Sequence, residues 1–443
     1  MKIKLSDSFT YKELLRFTFP TVIMMVFISV YGVVDGFFVS NYAGKTAFAA
    51  INLIMPFVMI LGGMGFMIGT GGTALVSKVM GEGDKERANK LFSMMILFTL
   101  VLGELLSLIG IALMRPISVW LGATPEMLDD CVLYGRIVVG FNAFFMLQNV
   151  FQSFFTAAER PKLGLAVTIA AGLTNMILDY LFVGVFGWKV AGAAVATGLS
   201  QFVGSIIPLI YFILPNGSRL RLTVSRLEAR PILAACANGS SELMSNISSS
   251  IVGVMYNFQL MRLIGEDGVS AFGVLMYVQF IFTAVYFGYT TGASPIISYH
   301  YGAKNPSEIK NLLKKSVVLM AVSGVVLTGA AMLMSPLLSQ IFVGYDAELE
   351  KLTEHAFLVY SINFVIAGYN IFASAFFTAL NNGAVSAAIS FIRTLVFQVA
   401  AVLLLPLVLG NDGIWASIIF AELGTAVVST VFIYKKRYEY KYA

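Results

Sequence analysis

The chain has 443 residues, 58% of them hydrophobic and only 12% charged, with a mean hydropathy of +0.84. A soluble domain cannot hide that much apolar surface, because its outer face must meet water, so a polytopic membrane protein is expected. The net charge of +5 and pI near 9.0 are explained below by topology and require no nucleic-acid partner.

Uncharged runs of about 20 residues can cross a bilayer as helices. Twelve are read in chain order: 13–39, 50–77, 91–114, 131–157, 163–186, 190–214, 232–260, 269–299, 313–343, 354–379, 384–408 and 413–434. The first lacks a small-x-small cleavage site and is expected to remain as a span. It carries Pro20, which removes a backbone hydrogen bond and can bend the helix. It also carries Asp35, in "VYGVVDGFFVS", a carboxylate inside an otherwise lipid-soluble run. Span 5 holds Asn175 and Asp179 ("TNMILDYLF") and span 6 holds Thr197 ("VAGAAVATGLSQ"). The polar stretch 215–231 reads as a linker. Span 7 brings Glu242 among small polar residues ("ANGSSELMSNISSS"), span 11 brings Arg393 and span 12 Glu422. These three are substrate-cavity candidates, with pairing inside the lobe an equal alternative for Arg393 and Glu422. His300 and His355 fall at span ends and read as interfacial. Cys131 and Cys236 sit near opposite membrane faces, so neither a disulfide nor a thiolate metal site is expected.

Lysine and arginine set the orientation. Lys2, Lys4, Lys12 and Arg16 precede span 1, and Lys78, Lys85, Arg87 and Lys90 surround the next loop on that side. The same face collects Arg160, Lys162, Arg219, Arg221, Arg226, Arg230, Lys304, Lys310, Lys314, Lys315 and the C-terminal Lys435, Lys436, Arg437 and Lys441. The other face has only Lys45, Arg115, Arg136, Lys189, Arg262 and Lys351. By the positive-inside rule the basic face is expected to be cytoplasmic, with both termini inside.

The chain also repeats itself. At an offset of 221 positions Gly32 meets Gly253, Gly44 meets Gly265, Gly71 meets Gly292, Ser77 meets Ser298 and Gly81 meets Gly302. "FFTA" at Phe154 recurs at Phe376, and Gly192 meets Gly413. An even number of spans per half gives both halves one orientation, so a pseudo-two-fold axis along the membrane normal is expected. The expected fold is all-α, twelve transmembrane helices in two six-helix lobes, residues 1–214 and 232–443, joined by a cytoplasmic linker at 215–231, with substrate between the lobes.

Depth can be counted. Asp35 and Asp179 lie about nine residues before outer turns and Thr197 about nine after one, each roughly 14 Å deep at 1.5 Å per residue. Asn175 is one turn from Asp179 on the same helix face. Burial disfavours the charged form of such an acid, and a neighbouring acid does so further, so the pair can take and release a proton near neutral pH. The same oxygens suit a dehydrated Na⁺, and both ions stay open. "GKT" at Gly44–Thr46 lacks the first glycine of a phosphate loop, Val39 standing in its place. Without an ATP site, an enzyme cofactor or a catalytic motif, transport would draw on an ion gradient.

"FTFPTVIMMVFISVYGVVDGFFVSNYAG", "TNMILDYLF", "VAGAAVAT" and "GEGDKERA" together resemble the multidrug and toxic compound extrusion (MATE) family, closest to its DinF-like and MepA-like branch. The resemblance covers essentially the whole chain. It implies a bacterial plasma-membrane exporter of amphipathic, often cationic drugs or metabolites, working as a monomer by rocking of its two bundles in exchange for H⁺ or Na⁺. It also implies coupling roles for Asp35, Asn175, Asp179 and Thr197 and a helix-1 bend at Pro20. Another branch uses C-lobe acids; span 10 here has none, so a C-lobe Na⁺ site is not expected. A flippase for lipid-linked envelope precursors is the rival reading, though it calls for several cations in the cleft where the spans offer mainly Arg393. A ligand-binding receptor without transport is the third.

Overall fold

The computed structural model describes residues 3–39, 42 and 44–442, so Lys2 and Ser40 lie outside the described residues, as does the side chain of Lys45. The helices are α1 (Tyr11–Phe38), α2 (Lys45–Gly81), α3 (Lys85–Trp120), α4 (Leu128–Gly140), α5 (Asn142–Ala157), α6 (Pro161–Asp179) and α7 (Lys189–Ile213). They continue with α8 (Ala229–Leu263), α9 (Glu266–Gly302), α10 (Pro306–Val343), α11 (Ala347–Tyr360), α12 (Phe364–Ala379), α13 (Gly383–Phe391), α14 (Gln398–Leu409) and α15 (Asn411–Lys436). A π turn, Tyr180–Val185, extends α6, a 3₁₀ turn links α11 to α12, and a second π turn, Ile392–Phe397, links α13 to α14.

These pieces make twelve crossings. Among the described residues ten helices are long and apolar enough to span a membrane, and α4 with α5 forms an eleventh, bent by 52°. The twelfth, α8, falls short of that measure because Asn238, Ser241, Glu242, Ser245 and Asn246 interrupt it. It begins at Ala229, inside the stretch read as linker.

The repeat is visible in the turns. Asp84 caps α3 by accepting from Arg87 N at 2.9 Å, and its repeat mate Asn305 caps α10 by accepting from Glu308 N at 3.3 Å. Gly44 and Gly265, again repeat mates, precede α2 and α9 at φ 96° and 94°, a region that glycine enters without a Cβ penalty. The helices of the two halves meet through α1, α2, α8 and α9. A Cβ on Gly81 would lie 2.0 Å from Tyr299 O, and one on Gly302 would lie 1.9 Å from Lys78 O. Lys78 and Tyr299 are themselves repeat mates, so the pseudo-two-fold passes between these two glycines.

The two lobes are closed on one face and parted on the other. One hydrophobic core joins both lobes on the face carrying the termini, with Leu5, Ile68, Phe154, Ile297 and Phe376 among its members. Towards the opposite face it divides into an N-lobe core around Ile54 and Tyr134 and a C-lobe core around Tyr256 and Trp415. There, a Cβ added at Gly32, Gly36, Gly253 or Gly273 would meet nothing within 4 Å. The gap is a cleft lined by helices of both lobes.

A chain segment straps the closed face. Leu5 N donates to Glu159 Oε1 of the N-lobe at 2.8 Å, and Phe9 N donates to Glu308 Oε1 of the C-lobe at 2.9 Å. Asn311 and Lys315 both donate to Phe9 O. His300, read as interfacial, is 2% exposed, with Nε2 3.2 Å from Asp7 O. The strap covers it, a contact across nearly 300 residues of chain that no local pattern announces.

Candidate functional site

The N-lobe brings together four side chains that the depth count put at one level. Asp35 comes from α1, Asn175 and Asp179 from α6, and Thr197 from α7, and α6 packs against both other helices. Asp179 is fully buried and Asn175 is 2% exposed. Asp179 ends α6 just where the helix widens into the π turn, a distortion frequent at functional sites. Asp35 is in electrostatic contact with Asp179 and Asn175.

The hydrogen bonding of the cluster is incomplete. Oδ1 of Asp35, Oδ1 of Asn175, both carboxylate oxygens of Asp179 and Oγ1 of Thr197 are shielded from solvent and have no hydrogen-bond partner. Buried polar oxygens normally are bonded, and two neighbouring carboxylates repel one another. A proton or a hard cation shared among these oxygens would cancel both costs. The donor set, two carboxylates with an amide and a hydroxyl oxygen, suits an alkali cation. Among the described residues no group of three or more His, Cys, Asp or Glu side chains is placed to hold a metal. Tyr134 of α4, 1% exposed, also reaches Thr197 and the two acids. It was missed because nothing in "DDCVLYGRIVV" marks its ring as facing another helix.

A second site lies in the cleft. A cavity of about 420 Å³ is lined by α1, α2, α8, α9 and the C-lobe helices behind them. Glu242, Arg393 and Glu422 all line it. Arg393 donates from Nε and Nη2 to Glu422 Oε1 at 2.8 and 2.6 Å, and Asn370 Nδ2 donates to Glu422 Oε2 at 2.7 Å. Ser429 in turn donates to Asn370 Oδ1 at 3.2 Å. Arg393 and Glu422 therefore pair within the lobe, as one of the two alternatives had it, while still forming wall.

Glu242 differs. Its carboxylate makes no hydrogen bond or ion pair among the described residues, and it stands at the cavity wall with Ser245, Asn246 and Ser249. The formal charge of the lining is one negative, because Arg393 and Glu422 cancel. Met25, Ile28, Phe66, Met276 and Phe280 supply the apolar part, flexible and aromatic surface that moulds to varied ligands. Helix α1 belongs to both sites: Met25, Ile28 and Ser29 face the cavity, and Asp35 lies in the cluster. Pro20 lies inside α1 below them, with Thr18 and Thr21 hydroxyls bonded to nearby carbonyls of the same helix at 2.9 and 2.6 Å.

The MatE family model matches residues 20–181 and 243–403. The chain is similar to multidrug export protein MepA of Staphylococcus saprophyticus, 24% identical over 371 residues, 82% of this chain and 81% of that one. MepA of Staphylococcus haemolyticus is 22% identical over 435 residues, 97% and 95% of the two chains. An outward-facing structure of a multidrug resistance MATE family transporter of the MOP superfamily superposes with a TM-score of 0.93 at 21% identity, over 98% of each chain.

Proposed function

The chain belongs to the MatE family of membrane transporters, and we propose that it exports amphipathic, cationic small molecules in exchange for H⁺ or Na⁺. The observation that carries this reading is the separation of two unsatisfied acidic sites joined by one helix. Among the described residues Glu242 makes no ion pair of its own, in a cavity whose lining is net negative and otherwise largely apolar, hydroxyl and amide, an environment that favours an organic cation. The oxygens around Asp35 and Asp179 are shielded from solvent without hydrogen-bond partners among the described residues, and a proton or Na⁺ would complete them. The multidrug export named for the MepA relatives agrees with that division.

With the termini cytoplasmic, the cleft opens outward and the strapped face is the inner barrier. Transport then requires the lobes to rock about the α2–α9 crossing, opening the inner face and closing the outer. Filling or emptying the Asp35–Asp179 cluster changes the charge on α1, and Pro20, which gives up a backbone hydrogen bond inside that helix, would let the upper half of α1 move against the cavity. No bound cofactor is required, and one chain supplies both lobes, so a monomer suffices. The flippase reading is less favoured, because the cavity's single cation, Arg393, is already neutralised by Glu422.

The test is flux of a fluorescent organic cation in proteoliposomes under separately imposed proton and Na⁺ gradients. Asp35→Asn is expected to lower gradient-driven export at least tenfold while leaving membrane insertion intact. Unchanged export would remove Asp35 from the coupling site.

A further inference from the structure

A second cavity, of about 830 Å³, lies at the edge of the N-lobe on the strapped face, between α1, the start of α6 and the end of α7. Arg16, Arg160 and Lys162 line it, and none is ion-paired among the described residues. Arg160 Nη2 donates to Gly217 O at 2.6 Å, which holds its guanidinium beside the turn after α7. The single acid in the lining, Glu159, is already engaged by Arg219 Nε at 3.0 Å and by Leu5 N. The cavity therefore carries net positive charge, and the first-turn amides of α6 add to it.

Its floor is apolar, formed by Phe17, Pro20, Leu163 and Ala166. Its depth can be read from the chain. Arg16 and Lys162 are the last charged residues before the uncharged runs 17–34 and 163–178, so they stand at the boundary between headgroups and hydrocarbon. Leu15 and Phe19, on the outside of the same stretch of α1, are 46% and 60% exposed. The charged mouth thus continues into surface that faces acyl chains.

We propose that this cavity binds an anionic phospholipid, its phosphate held among Arg16, Arg160 and Lys162 and the start of one acyl chain lying over Phe17 and Pro20. Basic pockets between helices at this level suit such headgroups. Free phosphate matches the cations but leaves the apolar floor wetted. A lipid seated there would touch α1 at Pro20, so its occupancy would brace the point at which that helix lacks a backbone hydrogen bond.

The experiment reads lipid retention by native mass spectrometry of the full chain, released from nanodiscs of equal phosphatidylglycerol and phosphatidylcholine. Phosphatidylglycerol is expected to be retained about tenfold over phosphatidylcholine. Arg16→Gln with Lys162→Gln should weaken it about fivefold per charge removed, whereas Lys310→Gln with Lys314→Gln, cations on the other lobe, should not. Equal retention of the two lipids, an equal loss in the control pair, or displacement by millimolar inorganic phosphate would each overturn the proposal. A photoactivatable phosphatidylglycerol on the unaltered chain gives an independent readout. It should label α1 or the α5–α6 turn, and labelling confined to other helices would count against the site even if the double variant proved unstable.

Discussion

Gly302→Ala tests the closed face directly. The added Cβ would lie 1.9 Å from Lys78 O and 2.7 Å from Lys78 C, about 1.5 Å short of the 3.4 Å at which ordinary contact begins. The obstacle is backbone within α2, not the tip of a flexible side chain, so α2 and α9 must part. Overpacking of this kind costs about 1–3 kcal/mol, equivalent to about 5- to 150-fold in the balance between closed and open forms of that face. Because Gly81 meets Tyr299 O in the same way across the pseudo-two-fold, the separation that relieves one clash also relieves the other. The double variant should therefore cost less than the sum of the singles. Spin labels at positions 85 and 304, read by pulsed electron–electron resonance after replacing Cys131 and Cys236, report the distance between lobes. A longer-distance population is expected to grow in Gly302→Ala and to grow little further in the double variant. Gly253→Ala, which meets open space, serves as the matched control and should leave the distribution alone. A Gly302→Ala distribution identical to that of the parent would refute the reasoning.

Three further outcomes are expected. Arg393→Met should destabilise the protein by about 3–5 kcal/mol by leaving Glu422 buried without its partner, and adding Glu422→Leu should restore most of the loss, as thermal unfolding of both would record. Glu242→Gln should lower export of organic cations relative to neutral amphiphiles by about tenfold, about 1.4 kcal/mol; a uniform fall for both classes would mean that the carboxylate does not select charge. Glu308→Ala leaves the buried Phe9 amide without an acceptor, at about 1–3 kcal/mol. Hydrogen exchange at residues 5–9 should then accelerate, and a protected Phe9 amide would show that the strap does not depend on this bond.

Much of this molecule follows from one dimension. Twelve crossings, their pairing into two halves and the common depth of Asp35, Asp179 and Thr197 are all consequences of counting residues, since helix rise converts sequence position into depth. Even α8, too polar to qualify by hydropathy, is placed by its register with α1. The polarity that disguises it is the polarity that lines the cavity. Depth says nothing about rotation, however, and rotation is where the remaining features lie. Tyr134 reaches the cluster only because α4 turns that face towards α7. Glu422 meets Arg393 and Asn370 because α12, α15 and the π turn after α13 converge, and Asn370 carries no mark in "AGYNIFAS". His300 looked interfacial because the strap that buries it lies nearly 300 residues away. Which face of the cleft is shut was likewise beyond reach of pattern: glycines 32, 81, 253 and 302 look alike in the sequence, and only packing decides which of them another helix's backbone approaches. Local sequence, acting through helix rise and polarity, determined the spans and the levels of their acids. The tertiary structure alone decided which side chains face one another across those levels, because that depends on contacts between segments no local interaction connects.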